Sequence, residues 1–493
     1  MSLKSHKSLL FFVCALFIAC GGKPKQATKV TGVVNSFDSI PVPSTLVGLV
    51  EFPNGNDGTL AQTWADTILP GQGPELNKQY LRVVDDGLAK MVTPTTNVDH
   101  AKALRVMAVQ VPGKDGPEPV LMAHKLGELT AKVPGNVIAP LSGNVFLAGD
   151  PKAVAVATPF AQKLSQAVKT HRLIVYPQNA LNTYKSQIDK MLRRISIKSN
   201  NDAPKFATLI ELYLNSLISL GGQLKRIDAT LMQSETTINI DTLSVEGTNV
   251  EKFFLAQTPS NFGLANRVPT DRPFYLESEW HMGDAEAPLT ASLIEMMTAI
   301  DDTANWTIYI GDMIRLITGK NVGSFNIKPN GKIPEFDYIM GYENTDDTRT
   351  FDLLKKYMNH FANSKKWEEM TTMKSNVKES KTKNGTPYIS YHTEMGKVSD
   401  LLGTYIFSNN KMLYQVLGKN AQTQLNSLTE TPAFNVAPNV KKALDFAKSQ
   451  SANSLLYIDA KSIAGGVFPL ELKLITKGVN GDLKAHIELA RQP

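Results

Sequence analysis

Beyond about residue 43 the chain is a succession of short apolar runs separated by Gly, Pro, Asn and Asp, and the spacing inside each run predicts its element. Thr45 to Phe52 (TLVGLVEF), closed off by Pro43 and Pro53, has the length and branching of a strand. Thr59 to Leu69 and Glu75 to Met91 carry apolar residues at helical spacing, with Gly71 and Pro74 between them. Ala103 to Val111 and Glu118 to Lys125 predict two strands joined through the turn residues Pro112 to Pro117. Val137 to Ala148 reads as extended, and Asp150-Pro151 then opens a helix to about Thr170, with Asp150 as N-cap. A strand at Arg172 to Tyr176, helices at Ala180 to Leu192 and Lys205 to Leu220, and a hairpin of Leu224 to Met232 with Glu235 to Val245 complete the first half.

The second half repeats the order. Pro273 to Trp280 takes the place of the Thr45 run, and Leu289 to Ile300 is the helix after it. Glu335 to Glu343 matches the Ala103 strand, Pro387 to Glu394 matches Pro119 to Leu126, and Met412 to Gly418 matches Val145 to Gly149. Ser454 to Asp459 mirrors Arg172 to Pro177, and Leu470 to Ile475 with Leu483 to Leu489 mirrors the earlier hairpin. The expectation is an α+β fold of two similar lobes, 44–265 and 266–493, arising from an internal duplication. Hairpins outnumber βαβ alternation, so the sheets should be mainly antiparallel with helices packed on one face.

The N-terminus follows a different rule. Lys4, His6 and Lys7 precede an apolar run from Leu9 to Ala19, which falls short of the roughly 20 residues a membrane-spanning helix needs and reads as a removable signal, residues 1–19. Phe17-Ile18-Ala19-Cys20 resembles the lipobox of bacterial lipoproteins, with Phe17 where Leu is usual. The resemblance implies a diacylglyceryl thioether on Cys20, often joined by an N-acyl chain, and two or more chains anchor a protein stably. It also implies the outer membrane, because Gly21 is not the acidic residue associated with inner-membrane retention. Residues 20–43, rich in Gly, Lys, Thr, Ser and Pro, read as a flexible tether.

The two cysteines are Cys14, inside the signal, and Cys20, so the expected mature body has no disulfide and no thiol nucleophile. The formal charge of +6 becomes 6 − 2 = +4 once Lys4 and Lys7 leave with the signal. That mild, dispersed basicity excludes a clustered nucleic-acid footprint.

Candidate chemistry is sparse. His124 and His392 take matching places in the two repeats, and a pair of imidazoles turned toward a shared cleft would make a binding or pH-sensitive contact. Alternation puts Glu277, Glu279 and His281, beside Trp280, on one face of a strand, the minimum for a weak cation site. The doublets Asp85-Asp86, Asp301-Asp302 and Asp346-Asp347 read as turns and caps rather than as a catalytic pair. Ser375 to Lys378 and Ser408 to Lys411 match S-x-x-K without the companion motifs that give it meaning. Lys374, Lys378, Lys381 and Lys383 gather near Trp367, suiting contact with anionic head groups or a glycan. Neither phosphate-loop pattern is found in the sequence, and no cofactor is expected. The reading is a lipid-anchored, non-enzymatic binding or scaffolding protein that holds an envelope protein or glycan between its lobes. A hydrolase of envelope or environmental polymer and a structural subunit of an envelope complex are the alternatives.

Overall fold

The computed structural model describes residues 40–491, apart from 56–57, 69–70, 165–169, 200–214, 216–217, 233–235, 301–304, 329–334, 366–374, 394–402 and 464–469. The lipobox, most of the tether, the expected helix from Lys205 to Leu220, Asp301-Asp302 and Lys374 lie wholly or largely outside the described residues.

In chain order the first-half strands are β1 (Leu46–Phe52), β2 (Val92–Thr93), β3 (Leu104–Gln110), β4 (Pro117–His124), β5 (Thr130–Ala131), β6 (Val137–Ser142), β7 (Val145–Gly149), β8 (His171–Val175), β9 (Leu224–Met232) and β10 (Thr237–Ser244). The second half contributes β11 (Phe274–Glu279), β12 (Ile317–Lys328), β13 (Glu335–Asn344), β14 (Ser375–Lys381), β15 (Pro387–Thr393), β16 (Gly403–Asn409), β17 (Met412–Gly418), β18 (Ser454–Asp459), β19 (Leu470–Val479) and β20 (Asp482–Arg491). The longer helices are α1 (Thr59–Ile68), α2 (Gly73–Ala89), α3 (Pro151–Ala161), α4 (Pro177–Ser199), α5 (Asn249–Leu255), α6 (Glu286–Ile300), α7 (Trp306–Leu316), α8 (Asp347–Asn363), α9 (Ala421–Glu430) and α10 (Pro438–Ser449).

Apart from the small β2–β5 pair, the described strands form one 18-stranded sheet. Its pairings are antiparallel throughout, and its centre is the β10–β20 ladder, where Ile240 faces Ala485. Outward from β10 the strands run β9, β8, β1, β3, β4, β7, β6. Outward from β20 they run β19, β18, β11, β12, β13, β17, β16, and then β15 and β14. The class is therefore mixed helix and strand around a large antiparallel sheet.

Two expectations are corrected here. Helices cover both faces of the sheet, not one. On one side α3 packs on Met107, Val120 and Leu147 through Ala157 and Phe160, while α2 brings Leu88 against Leu104, Leu121 and Phe146 on the other. In the second half α9 and α10 take one face with Leu425 and Leu444, and α7 and α8 take the other with Met313 and Leu354. The cause is visible in the strands: all of Val145 to Gly149 is buried, so neither face tolerates water.

The second correction concerns matching strands. The Pro387 strand, β15, pairs with β14 and β16, whereas β4 lies between β3 and β7. β13, which is next to β17 as β4 is next to β7, holds the place assigned to β15, and β12 holds the place assigned to β13. His124, opposite Val145, and His392, opposite Asn376, therefore do not occupy matching positions.

Local chemistry explains the entry into the helices. Asp150 accepts from the backbone N–H of Lys152 and Ala153 at 2.9 and 3.3 Å, the expected N-cap, and Pro151 follows it. Gly149 just before it leaves the strand where a Cβ would lie 2.7 Å from the Pro119 carbonyl oxygen; at Gly418, before α9, the corresponding distance to the Phe336 oxygen is 2.4 Å.

Candidate functional site

Most of the residues singled out from sequence have structural work. Asp346 accepts from Arg349 N–H at 3.0 Å as a helix cap, and Asp347 takes Ser408 Oγ at 2.6 Å and the Lys411 N–H at 2.9 Å, fixing the β16–β17 turn. Asp85 and Asp86 lie on α2 rather than in a turn, exposed beside His100 and Arg82. Trp280 stacks on Phe253 of α5 with ring centroids 5.6 Å apart. The side chain of Gln257, just after α5, holds the backbone of His281 from both sides, donating to its carbonyl at 2.7 Å and accepting from its N–H at 3.0 Å.

Glu277, Glu279 and His281 do not converge on a cation. Glu277 turns into the core, where Tyr275 Oη donates to Oε2 and the Leu264 N–H donates to Oε1 at 2.8 Å. Burial pushes its carboxyl above the usual range, against the lowering effect of those bonds. Glu279 instead lies 3.5 Å from His281 Nε2. Burial alone would raise its pKa, but the His281 bond and the Lys320 charge outweigh that and hold it low. Among the described residues no group of three or more His, Cys, Asp and Glu is arranged to hold a metal ion.

A set of buried charges was not foreseen from the sequence. Glu51 on β1 stands directly opposite Arg105 of β3 and Arg172 of β8, and Arg105 Nε donates to Glu51 Oε1 at 2.7 Å with both side chains almost wholly buried. Arg172 makes a two-pronged pair with Asp228 of β9, and Arg226 Nε lies 3.8 Å from the same carboxylate. Buried Tyr176 sits beside these groups, its pKa pushed up to about 12 chiefly by burial. The trace in sequence is one charge inside each apolar strand, LVGLVEF, LRVMAVQ and HRLIV. A charge there has to be met by another, because an unpaired buried ion costs several kcal/mol.

The seam at the sheet's centre has one polar and one apolar face. Asp228, Asp241 and Lys484 lie in one row, with Asn239 opposite His486 and Glu488 opposite Lys473 alongside. Lys484 Nζ is 3.3 Å from Asp241, and Lys473 Nζ is 2.9 Å from Glu488 and 3.1 Å from Glu471. Burial by itself would lower the Lys473 pKa, but these two carboxylates raise it. The alternate positions Ile238, Ile240, Leu483, Ala485 and Ile487 point the other way. The halves are thus joined strand to strand through β10 and β20.

The two ends of the sheet differ. β6 carries Pro140 and an irregular register against β7, features that blunt an edge. β14 pairs with β15 in unbroken register over all seven of its residues, and among the described residues no strand lies on its other side. Its hairpin is held in place: Lys355 of α8 pairs with Glu379, and Asn384 Nδ2 donates to the Thr429 carbonyl at 2.7 Å. Lys378, Lys381 and Lys383 are exposed, and none has an ion pair among the described residues.

No family model matches the chain, and no curated protein matches it. The chain is similar to two solved structures of TP0453. Crystal form IV has 13% identity, with 45% of this chain and 77% of that one covered and a TM-score of 0.24. Crystal form III also has 13% identity, covering 46% and 79% with a TM-score of 0.25. Similarity at that level carries no argument about fold or function. No described helix is long and apolar enough to cross a membrane.

Proposed function

We propose that the chain is a bacterial lipoprotein of the outer membrane, lipidated at Cys20 after loss of residues 1–19 and tethered by 20–43, whose body binds an envelope protein or glycan without catalysing a reaction. The observation that carries the binding reading is a sheet that, among the described residues, is left open at two unlike edges, with the charged groups of its interior committed to one another: Glu51 to Arg105, Asp228 to Arg172, Lys473 to Glu488. Binding then belongs to the edges and outer faces rather than to a groove between lobes.

We infer also that the body is an internal duplication, with copies meeting at β10 and β20. Support comes from the shared outward pairing order and from matching positions: Glu51 opposite Arg105 and Glu279 opposite Lys320, Gly149 and Gly418 before α3 and α9. Among the described residues the β14–β15 hairpin has no counterpart in the first half's strand order.

The test uses intact cells. A labelled lipid precursor is expected to enter wild-type protein and not Cys20→Ala, and chemical crosslinking is expected to give a discrete adduct that weakens once Cys20→Ala frees the body. An unlabelled wild type removes the anchor; absence of any adduct removes the binding reading.

A further inference from the structure

Resting on that binding reading, we propose that the outer edge of β14 is a docking site for an extended acidic polypeptide, which adds to the sheet as one more antiparallel or parallel strand. Strand addition needs a straight edge with free backbone groups, and β14 supplies seven residues in unbroken register. At the opposite end, β6 has the proline and irregularity that natural sheets use against such pairing, and β14 has neither.

The edge is also held ready. The Lys355–Glu379 pair fixes β14 to α8, and the Asn384–Thr429 bond fixes the hairpin tip to α9, so little ordering remains to be done on binding. The Lys355 contact uses up the acidic side chain of the strand and leaves Lys378, Lys381 and Lys383 as an uncompensated positive row.

Charge placement selects a polypeptide over a membrane. Lys378 and Lys381 are three residues apart on a strand and so point to opposite faces of the sheet. A flat anionic surface meets one of them at a time. An acidic strand lying along the edge places its own alternate side chains beside both, where opposite charges attract.

The probe is a fluorescein-labelled ten-residue peptide alternating Glu with Val and Thr, titrated against the full chain in detergent, with a peptide carrying Lys for Glu as control. Vesicles containing anionic lipid are run in parallel. The expected result is saturable binding of the acidic peptide, slowed hydrogen exchange of the β14 amides in the complex, and at least a tenfold loss of affinity in the K378E/K381E variant at unchanged melting temperature. Binding without added protection of β14, equal binding of the Lys peptide, or preference for the vesicles overturns the proposal. If the peptide fails while wild-type cells still give a crosslinked adduct, this edge is not the site and the binding reading stands; if both fail, both fall.

Discussion

Across the ladder that joins the two halves, Nδ1 of His486 lies 2.7 Å from Oδ1 of Asn239. The acceptor is an amide oxygen, so the imidazole donates from Nδ1, and the bond ties side chains 247 residues apart in sequence. The ring also rests 5.7 Å from that of Phe446 on α10. Asn239→Ala and His486→Ala should each destabilise the protein, and the double variant should lose about 1 kcal/mol less than the sum. Urea unfolding of the four proteins measures this, and additive losses would show that the two side chains do not interact.

Removal of Glu51 takes away the carboxylate that Arg105 Nε donates to, while Arg172 keeps its pair with Asp228. Glu51→Ala should cost about 3 to 5 kcal/mol, the usual penalty for breaking a buried pair from one side. Glu51→Leu combined with Arg105→Met should regain much of that, because an apolar pair of similar volume replaces desolvated charges. Equal stability of the single and double variants would mean that Arg105, left without Glu51, does not set the cost.

Glu277 gives stability a pH dependence of known sign. Its carboxyl holds its proton more tightly folded than unfolded, so the associated stability is fully present below the ordinary glutamate value of about 4.3 and is lost as pH rises through the higher folded value. Glu277→Gln removes that slope. The variant should gain on the wild type in urea titrations as pH rises above the ordinary glutamate value, and parallel curves would refute the assignment.

Asp347 accepts bonds from Ser408, Asn344 and the Lys411 N–H. Asp347→Ala leaves buried Asn344 with fewer partners and should cost about 1 to 3 kcal/mol. Faster hydrogen exchange should appear at Asn410 and Lys411, whose backbones adopt positive φ in the turn.

Much of the strand content was legible because short apolar runs between turn residues admit few alternatives, as with Leu46–Phe52 and Ser454–Asp459. β12 was not. Its sequence, ITGKNVGSFNIK, has two glycines and several polar residues and carries no clear strand pattern, yet Asn321 and Ser324 are buried. Asn321 accepts from Ser278 Oγ at 2.9 Å and Ser324 donates to the Pro269 carbonyl, so cross-strand partners unavailable to a local reading make the strand. Without β12 the matching slips at β13 and β15, which sets His124 against His392. The buried charges were visible as residues, but which charge meets which depends on register, and register is a property of two strands at once. The lysines of β14 were visible as a cluster; that they border an open edge follows only from strand order.

β20, Asp482–Arg491, has a consequence for how the molecule comes together. Among the described residues it is the strand that lies between β10 and β19 and pairs with both. The first half's β10 is therefore covered on this side by a strand of the other half, so closing one half and completing the other are a single event. A lesion that keeps β20 from pairing bares two raw edges at once rather than loosening one hairpin.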